Sequence, residues 1–152
     1  MDVYRVAFIG QGFVSDEDAV RDLLEEFAAR LIEEKPFVEF LVARENRFDA
    51  IATSAVRRAQ SVYGTKNSCL SLTLAHPIAK NDFFAEYDSV VQPFALDETY
   101  DTVQNHRRTM IAQSDLVISY VIENSGEAYH ALKYAIQKGK TVKNIAPLPT
   151  GQ

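Results

Sequence analysis

Residues Ser114–Ile145, SDLVISYVIENSGEAYHALKYAIQKGKTVKNI, hold the pattern of strand, loop, helix, turn and strand within one βαβ unit. Leu116–Val121 is a short apolar run, the composition of a strand buried on both faces. Ala128, Ala131, Leu132, Ala135 and Ile136 then recur at helical spacing, and Gly139 supplies the stop. Thr141–Ile145 re-enters a sheet. A right-handed crossover of this kind places the loop from Ile122 to Glu127 at the carboxyl ends of the strands, where open α/β sheets bind ligands.

The same alternation extends toward the amino terminus. Val3–Ile9 predicts a first strand, ended by Gly10 and Gly12, with Ser15 or Asp16 placed to cap the next helix. Val20, Leu23, Leu24, Phe27, Ala28, Leu31 and Ile32 form one apolar stripe, and Pro36 ends it. Phe37–Ala43 predicts a second strand, and Phe48, Ile51, Ala52, Ala55, Val56 and Ala59 a second helix that Val62 and Tyr63 extend. Ser68–Leu74 predicts a third strand. From His76 to Glu98 the periodicity weakens, leaving a short helix near Asn81–Tyr87 and a short strand at Ser89–Val91. A helix over Thr99–Gln113 leads into the unit quoted first. The sum is an α/β fold, Rossmann-like and doubly wound, with a mainly parallel sheet and helices on both faces.

The chain has 152 residues, enough for one domain to bury roughly 70% of its unfolded surface without staples. The expected organisation is a single domain over residues 1–146 and a short Pro- and Gly-bearing tail over 147–152. Cys69, the only cysteine, sits among Leu70, Leu72 and Leu74 and reads as a core residue. A net charge of −5 and a pI near 5.2 argue against nucleic acid as a partner, although a local basic pocket can still hold a small anion. No run is long enough for a membrane span and no leader pattern opens the chain, so a cytoplasmic protein is expected.

Three polar groups converge on the predicted carboxyl edge. Gly10-Gln11-Gly12 follows the first strand, a bend that either brings backbone N–H groups to a phosphate or is a plain tight turn. Arg44 and Arg47 flank the start of the second helix, where they either hold phosphate or pair on the surface with Glu45 and Asp49. Ser125, Gly126 and Glu127 lie in the last loop. Asn105, His106, Arg107 and Arg108 add a polar cluster on the helix before Asp115, and Arg57 and Arg58 read as surface charges. Tyr129 either stacks on a base or packs on the sheet. His76, His106 and His130 have no metal-ligand spacing, so neither a metal nor a cofactor is expected. Asp16, Glu17 and Asp18 are explained by the helix dipole.

With Phe8 and Gly10, Arg47-Phe48-Asp49, Met110, Ser114-Asp115 and the helix running to Gly139-Lys140, the chain resembles the SLOG superfamily. That Rossmann-like group includes the Lonely-guy phosphoribohydrolases, DprA-like proteins and nucleotide sensors of antiphage defence. The resemblance covers most of the chain and implies a homo-oligomer holding a nucleotide or an ADP-ribose-type molecule, such as a cyclic ADP-ribose, as a sensor or a sponge. Gln11-Gly12 replaces a His-Arg pair, Ala43 a glycine, and His106-Arg107 an Arg-Asn pair. Asn124-Ser125-Gly126-Glu127 stands for the glycine-rich phosphate motif of the Lonely-guy enzymes, and Ala131 stands near their catalytic acid. These departures favour binding without turnover. The alternatives are a nucleoside monophosphate phosphoribohydrolase using Arg107 and Glu127, and an interaction module with a vestigial pocket.

Overall fold

The structure, a computed structural model, describes residues 2–74, 84–91 and 102–147, with only the backbone of 102 and 103. In chain order the elements are β1 (Tyr4–Gly10), α1 (Glu17–Glu34), β2 (Val38–Val42), α2 (Arg47–Tyr63), β3 (Ser68–Thr73), β4 (Ser89–Val91), α3 (Thr102–Gln113), β5 (Leu116–Tyr120), α4 (Glu127–Gln137) and β6 (Thr141–Asn144). The six strands form one sheet in the order β4-β3-β2-β1-β5-β6, and every pairing is parallel. β1 pairs with β2 on one side and with β5 on the other, so the direction of winding reverses between β1 and β5. The register Gly10↔Tyr120 brings the ends of both strands to that point of reversal.

Alternation along each strand divides the core in two. Val6, Phe8, Phe40, Val42, Leu70, Ile118 and Tyr120 belong to the cluster covered by α1 and α2. Ala7, Ile9, Leu41 and Val117 pack with Met110, Ile111, Ala128, Ala131 and Ala135 of α3 and α4. Helices therefore cover both faces, the doubly wound arrangement. At the foot of the reversal Arg5 donates its backbone N–H to Asp115 Oδ2 at 2.9 Å, and Asp115 N–H donates to Arg5 O at 2.7 Å.

Local chemistry sets the helix starts. Asp16 caps α1 from a left-handed conformation (φ 52°) that Asp tolerates better than most residues, its Oδ1 accepting from Ala19 N–H. Asn46 and Asp49 close a reciprocal capping box at α2. The stripes are narrower than the apolar spacing suggests. Val20, Leu24, Ala28 and Ile32 are buried in α1, but Leu23 faces out, as do Val62 after the main stripe of α2 and Ile136 in α4, the last 61% exposed.

Cys69 is half-buried on β3, and burial pushes its thiol pKa up, away from nucleophilic use. Arg57, expected as a surface charge, is a structural clamp. It donates to Asp88 at 2.9 Å, to Gln60 and to Glu86 O, fastening the segment before β4 onto α2. The short strand expected at Ser89–Val91 is β4. The helix expected near Asn81–Tyr87 falls partly outside the described residues, and at its described end Tyr87 N–H bonds Phe84 O in a turn. The tail expected at 147–152 lies outside them beyond Pro147.

Candidate functional site

A cleft of about 300 Å³ opens at the carboxyl ends of β1 and β5, the topological switch point of the sheet. Gly10, Gln11 and Gly12 form one wall and Ser125, Gly126, Glu127 and Ala128 another, with Asn46, Arg107 and Glu123 completing it. Gly10, Gln11, Gly12, Arg107, Ser125, Gly126 and Glu127, singled out from the sequence, thus meet in one place.

The first wall is organised by side chains more than by open backbone. A Cβ on Gly10 would stand 2.3 Å from the Phe48 ring, so glycine is required here by core packing. Gln11 donates its own N–H to Tyr120 O at 3.0 Å. Its Oε1 accepts from Ile122 N–H at 2.8 Å and Glu123 N–H at 3.3 Å, and its Nε2 donates to Glu123 O at 3.2 Å. Gln11 therefore ties the two walls together and occupies two amides that an anion would otherwise seek.

The second wall is open. α4 begins at Gly126 (φ 92°) with no side-chain cap, so the first amides of the helix carry no side-chain acceptor. Arg107, its side chain only 12% exposed, reaches the cleft from α3 and donates to Glu127 Oε2 at 3.1 Å. Glu123 is the second carboxylate of the lining. A largely desolvated guanidinium beside an uncapped helix start attracts an anion, whereas two carboxylates accept from hydroxyls.

Behind the cleft lies a buried polar layer. Asp49 is 4% exposed, and burial pushes its carboxyl up to about 6, against the pull of the Glu45 and Asn46 amides that donate to it and of the Arg107 charge. Asn46 donates Nδ2–H to Gly10 O at 2.9 Å, fixing the end of β1 to the start of α2. His106 is buried, its Nε2 lying 2.6 Å from Thr73 Oγ1 and its Nδ1 3.6 Å from Glu45 Oε1. The Thr73 hydroxyl also lies 3.2 Å from Val42 O.

Three expected pocket residues stand elsewhere. Arg47 makes a bidentate ion pair with Glu17 of α1 (2.6 to 2.9 Å) and is 52% exposed, so the surface pairing holds, with Glu17 rather than Glu45 or Asp49 as its partner. Arg44 lies over the Phe84 ring at 4.9 Å and lines a neighbouring hollow of about 200 Å³ with Asn46, Thr53, Glu86 and Tyr87. Asn105 is half-buried and outside the cleft lining, its carbonyl accepting from Thr109. Asn46, Glu123 and Ala128 were not singled out from the sequence. The Asn-x-x-Asp spacing from Asn46 to Asp49 is the capping-box signal that marks the first of them.

The elements and their order define a Rossmann-like fold with a cleft at its switch point. No protein-family model and no curated protein matches the chain. Among solved structures it is similar to DNA processing protein A from Helicobacter pylori, a protein with a single-stranded DNA binding mode. The TM-score is 0.63 at 14% identity, covering 98% of this chain and 67% of that one. It is also similar to the Moco carrier protein from Chlamydomonas reinhardtii, with a TM-score of 0.58 at 11% identity over 93% of this chain and 75% of that one. These likenesses show the Rossmann-like fold. They also correct the exclusion of nucleic acid drawn from net charge, because a protein of this fold binds single-stranded DNA. The physical reason is uneven charge. Residues 1–101 hold eighteen Asp and Glu against ten Lys and Arg, whereas residues 102–152 hold three against six. Among the described residues no helix is long and apolar enough to cross a membrane, and no group of three or more His, Cys, Asp and Glu could hold a metal ion.

Proposed function

We propose that the chain is a SLOG-type protein whose switch-point cleft binds a small nucleotide-derived ligand, a nucleotide or an ADP-ribose-type signalling molecule, and releases it unchanged. The observation that carries this reading is the meeting of Arg107 and the uncapped start of α4 with two carboxylates in one cleft of about 300 Å³. A phosphate takes the guanidinium and the helix amides, and the hydroxyls of a ribose donate to Glu123 and Glu127. Binding requires the phosphate to displace Glu127 from Arg107, so the internal carboxylate sets a threshold that weak anions do not cross.

Release of an intact ligand follows from the same residues. The loop has one glycine and no threonine, and Ala131, near the position of the Lonely-guy acid, is buried against the sheet. Glu127, once the phosphate has taken Arg107 from it, is engaged by the ribose hydroxyls. Cleavage of an N-glycosidic bond needs groups that stabilise the transition state more than the bound ground state, and neither residue supplies one. A sensor or sponge in defence signalling is the context that the resemblance suggests.

Calorimetry with AMP, ADP-ribose and a single-stranded oligonucleotide tests the reading, followed by chromatography of the ligand recovered after heat denaturation. The Arg107→Ala variant is expected to lose about 1.5–3 kcal/mol of affinity, the range for a hydrogen bond to a charged group. Arg47→Ala should bind as the wild type does. Recovery of free base and ribose phosphate would establish the hydrolase instead, and absence of binding by every probe would leave the cleft vestigial.

A further inference from the structure

The outer face of α3 and α4 carries a feature that the cleft does not use. Gln104, Arg108, His130, Lys133, Tyr134, Ile136 and Gln137 line an open groove of about 450 Å³ between the two helices. The Arg108 guanidinium lies over the Tyr134 ring at 4.8 Å, Lys138 approaches the same ring at 5.6 Å, and Lys133 approaches Tyr129 at 5.4 Å. Lys140 donates to Ala112 O at 3.2 Å at the base of the helix pair. No Asp or Glu lines the groove, and the sequence contains none after Glu127.

We propose that this groove binds single-stranded nucleic acid, with Arg108, Lys133, Lys138 and Lys140 along the phosphates and Tyr134 and Tyr129 against the bases. Three cations over two aromatic rings, with Lys140 at the base of the helix pair, match a chain of alternating phosphates and flat bases, the combination used for single strands. An acidic protein partner would use the cations and leave the rings without a role. The charge is local, because the remainder of the molecule is acidic. That background repels polyanions and confines them to the one basic face.

Fluorescence anisotropy with a labelled mixed-sequence 20-nucleotide DNA single strand, titrated with the full chain at several salt concentrations, is the test. Four neutralised phosphates give a log–log salt slope of about −2.8, so affinity should fall about 50-fold between 50 and 200 mM salt. The Lys133→Ala/Lys138→Ala variant, both exposed positions, should halve the slope and shrink that fall to about sevenfold. The Tyr134→Ala variant should weaken binding about tenfold. Arg30→Ala/Arg58→Ala, on α1 and α2, should change nothing.

Inorganic polyphosphate binding as tightly as the oligonucleotide would overturn the role of the rings. Anionic phospholipid vesicles binding where the oligonucleotide does not would replace nucleic acid by a membrane surface and overturn the proposal. Oligonucleotide binding abolished by Arg107→Ala but untouched by the lysine variant would place the strand in the cleft and overturn it too. The proposal stands apart from the cleft reading, since the lysine variant should keep its affinity for AMP.

Discussion

The two faces of the sheet are made of different materials. Under α1 and α2 lie Phe8 stacked on Phe40 and Phe48 stacked on Tyr120, each pair with ring centroids 6.1 Å apart, within a continuous cluster of buried residues. Under α3 and α4 the corresponding layer is a smaller cluster with Ala7, Ala128, Ala131 and Ala135 among its members. Large aromatic side chains bury much apolar surface each, whereas alanine buries little but lets the helix backbone approach the strands. Stability is therefore concentrated on the first face. The second face is left to bring Arg107 and the start of α4 to the cleft and to carry a basic exterior.

Substitutions can break that contrast, and the largest effect is expected for Phe48→Ala. Phe48 is fully buried, and its loss should cost about 3–5 kcal/mol in chemical denaturation. Ala131→Gly on the opposite face should cost about 1 kcal/mol, mostly through helix propensity. Equal losses would show that the two faces share the load.

Next in size is a pH effect at the layer behind the cleft. The Asp49 carboxyl titrates at about 6 in the fold against 3.8 when exposed, so protonation favours the folded state. The contribution is complete below about pH 4 and is lost as pH rises through about 6. About two pH units at 1.36 kcal/mol each make about 3 kcal/mol. Asp88 works in the opposite sense. Burial raises its pKa, but the Leu70 amide, Arg57 and Gln60 outweigh this and lower it overall, so its contribution is lost at low pH. Comparing wild type with Asp49→Asn cancels Asp88 and isolates Asp49. Denaturation curves should show the Asn variant gaining on wild type between pH 4 and 7.5, and a constant gap would refute the burial of a titrating carboxyl.

Gly10→Ala forces a methyl group into the Phe48 ring and should cost about 1–3 kcal/mol. Combined with Phe48→Ala, most of that penalty should vanish, because the second substitution empties the space the first one needs. Additive losses would mean that Gly10 serves the cleft backbone and not the core. The smallest effect is expected at Ile136→Ser. With 61% of Ile136 exposed, the melting transition should shift by no more than about 0.5 kcal/mol allows.

Much of this fold was legible because its signals are local. The βαβ pattern from Leu116 to Asn144, the stripe through α2 and the capping positions depend on residues a few places apart. Convergence of Gly10–Gly12 with Ser125–Glu127 followed from the carboxyl-edge rule for parallel sheets. What escaped was decided by distant partners. Glu17 takes Arg47 from thirty residues away, and Asp88 takes Arg57 from thirty-one, and no spacing rule announces either pair. Gln11 reads as a loop residue until its contacts with the loop beyond β5 are seen. Ile136 fits the helical period, yet the period does not tell how wide a strip of helix the sheet covers. Net charge misled for a related reason, since it averages over a sequence whose two parts differ in sign.

The place of β1 in the sheet has a consequence for synthesis of the chain. It is the first strand of the sheet to leave the ribosome, and β2 can join one side soon afterwards. Its other side waits for β5, and the Arg5 to Asp115 link closes only 110 residues later. At about 5–20 residues per second that wait is on the order of 10 s, during which the future centre of the sheet is an open edge. A nascent chain halted after Gln113 would present Val6, Ala7, Phe8 and Ile9 as an apolar strand with unpaired amides. Productive folding therefore depends on how fast β5 follows, and a holdase acting on the early nascent chain should raise the yield more than one added after release.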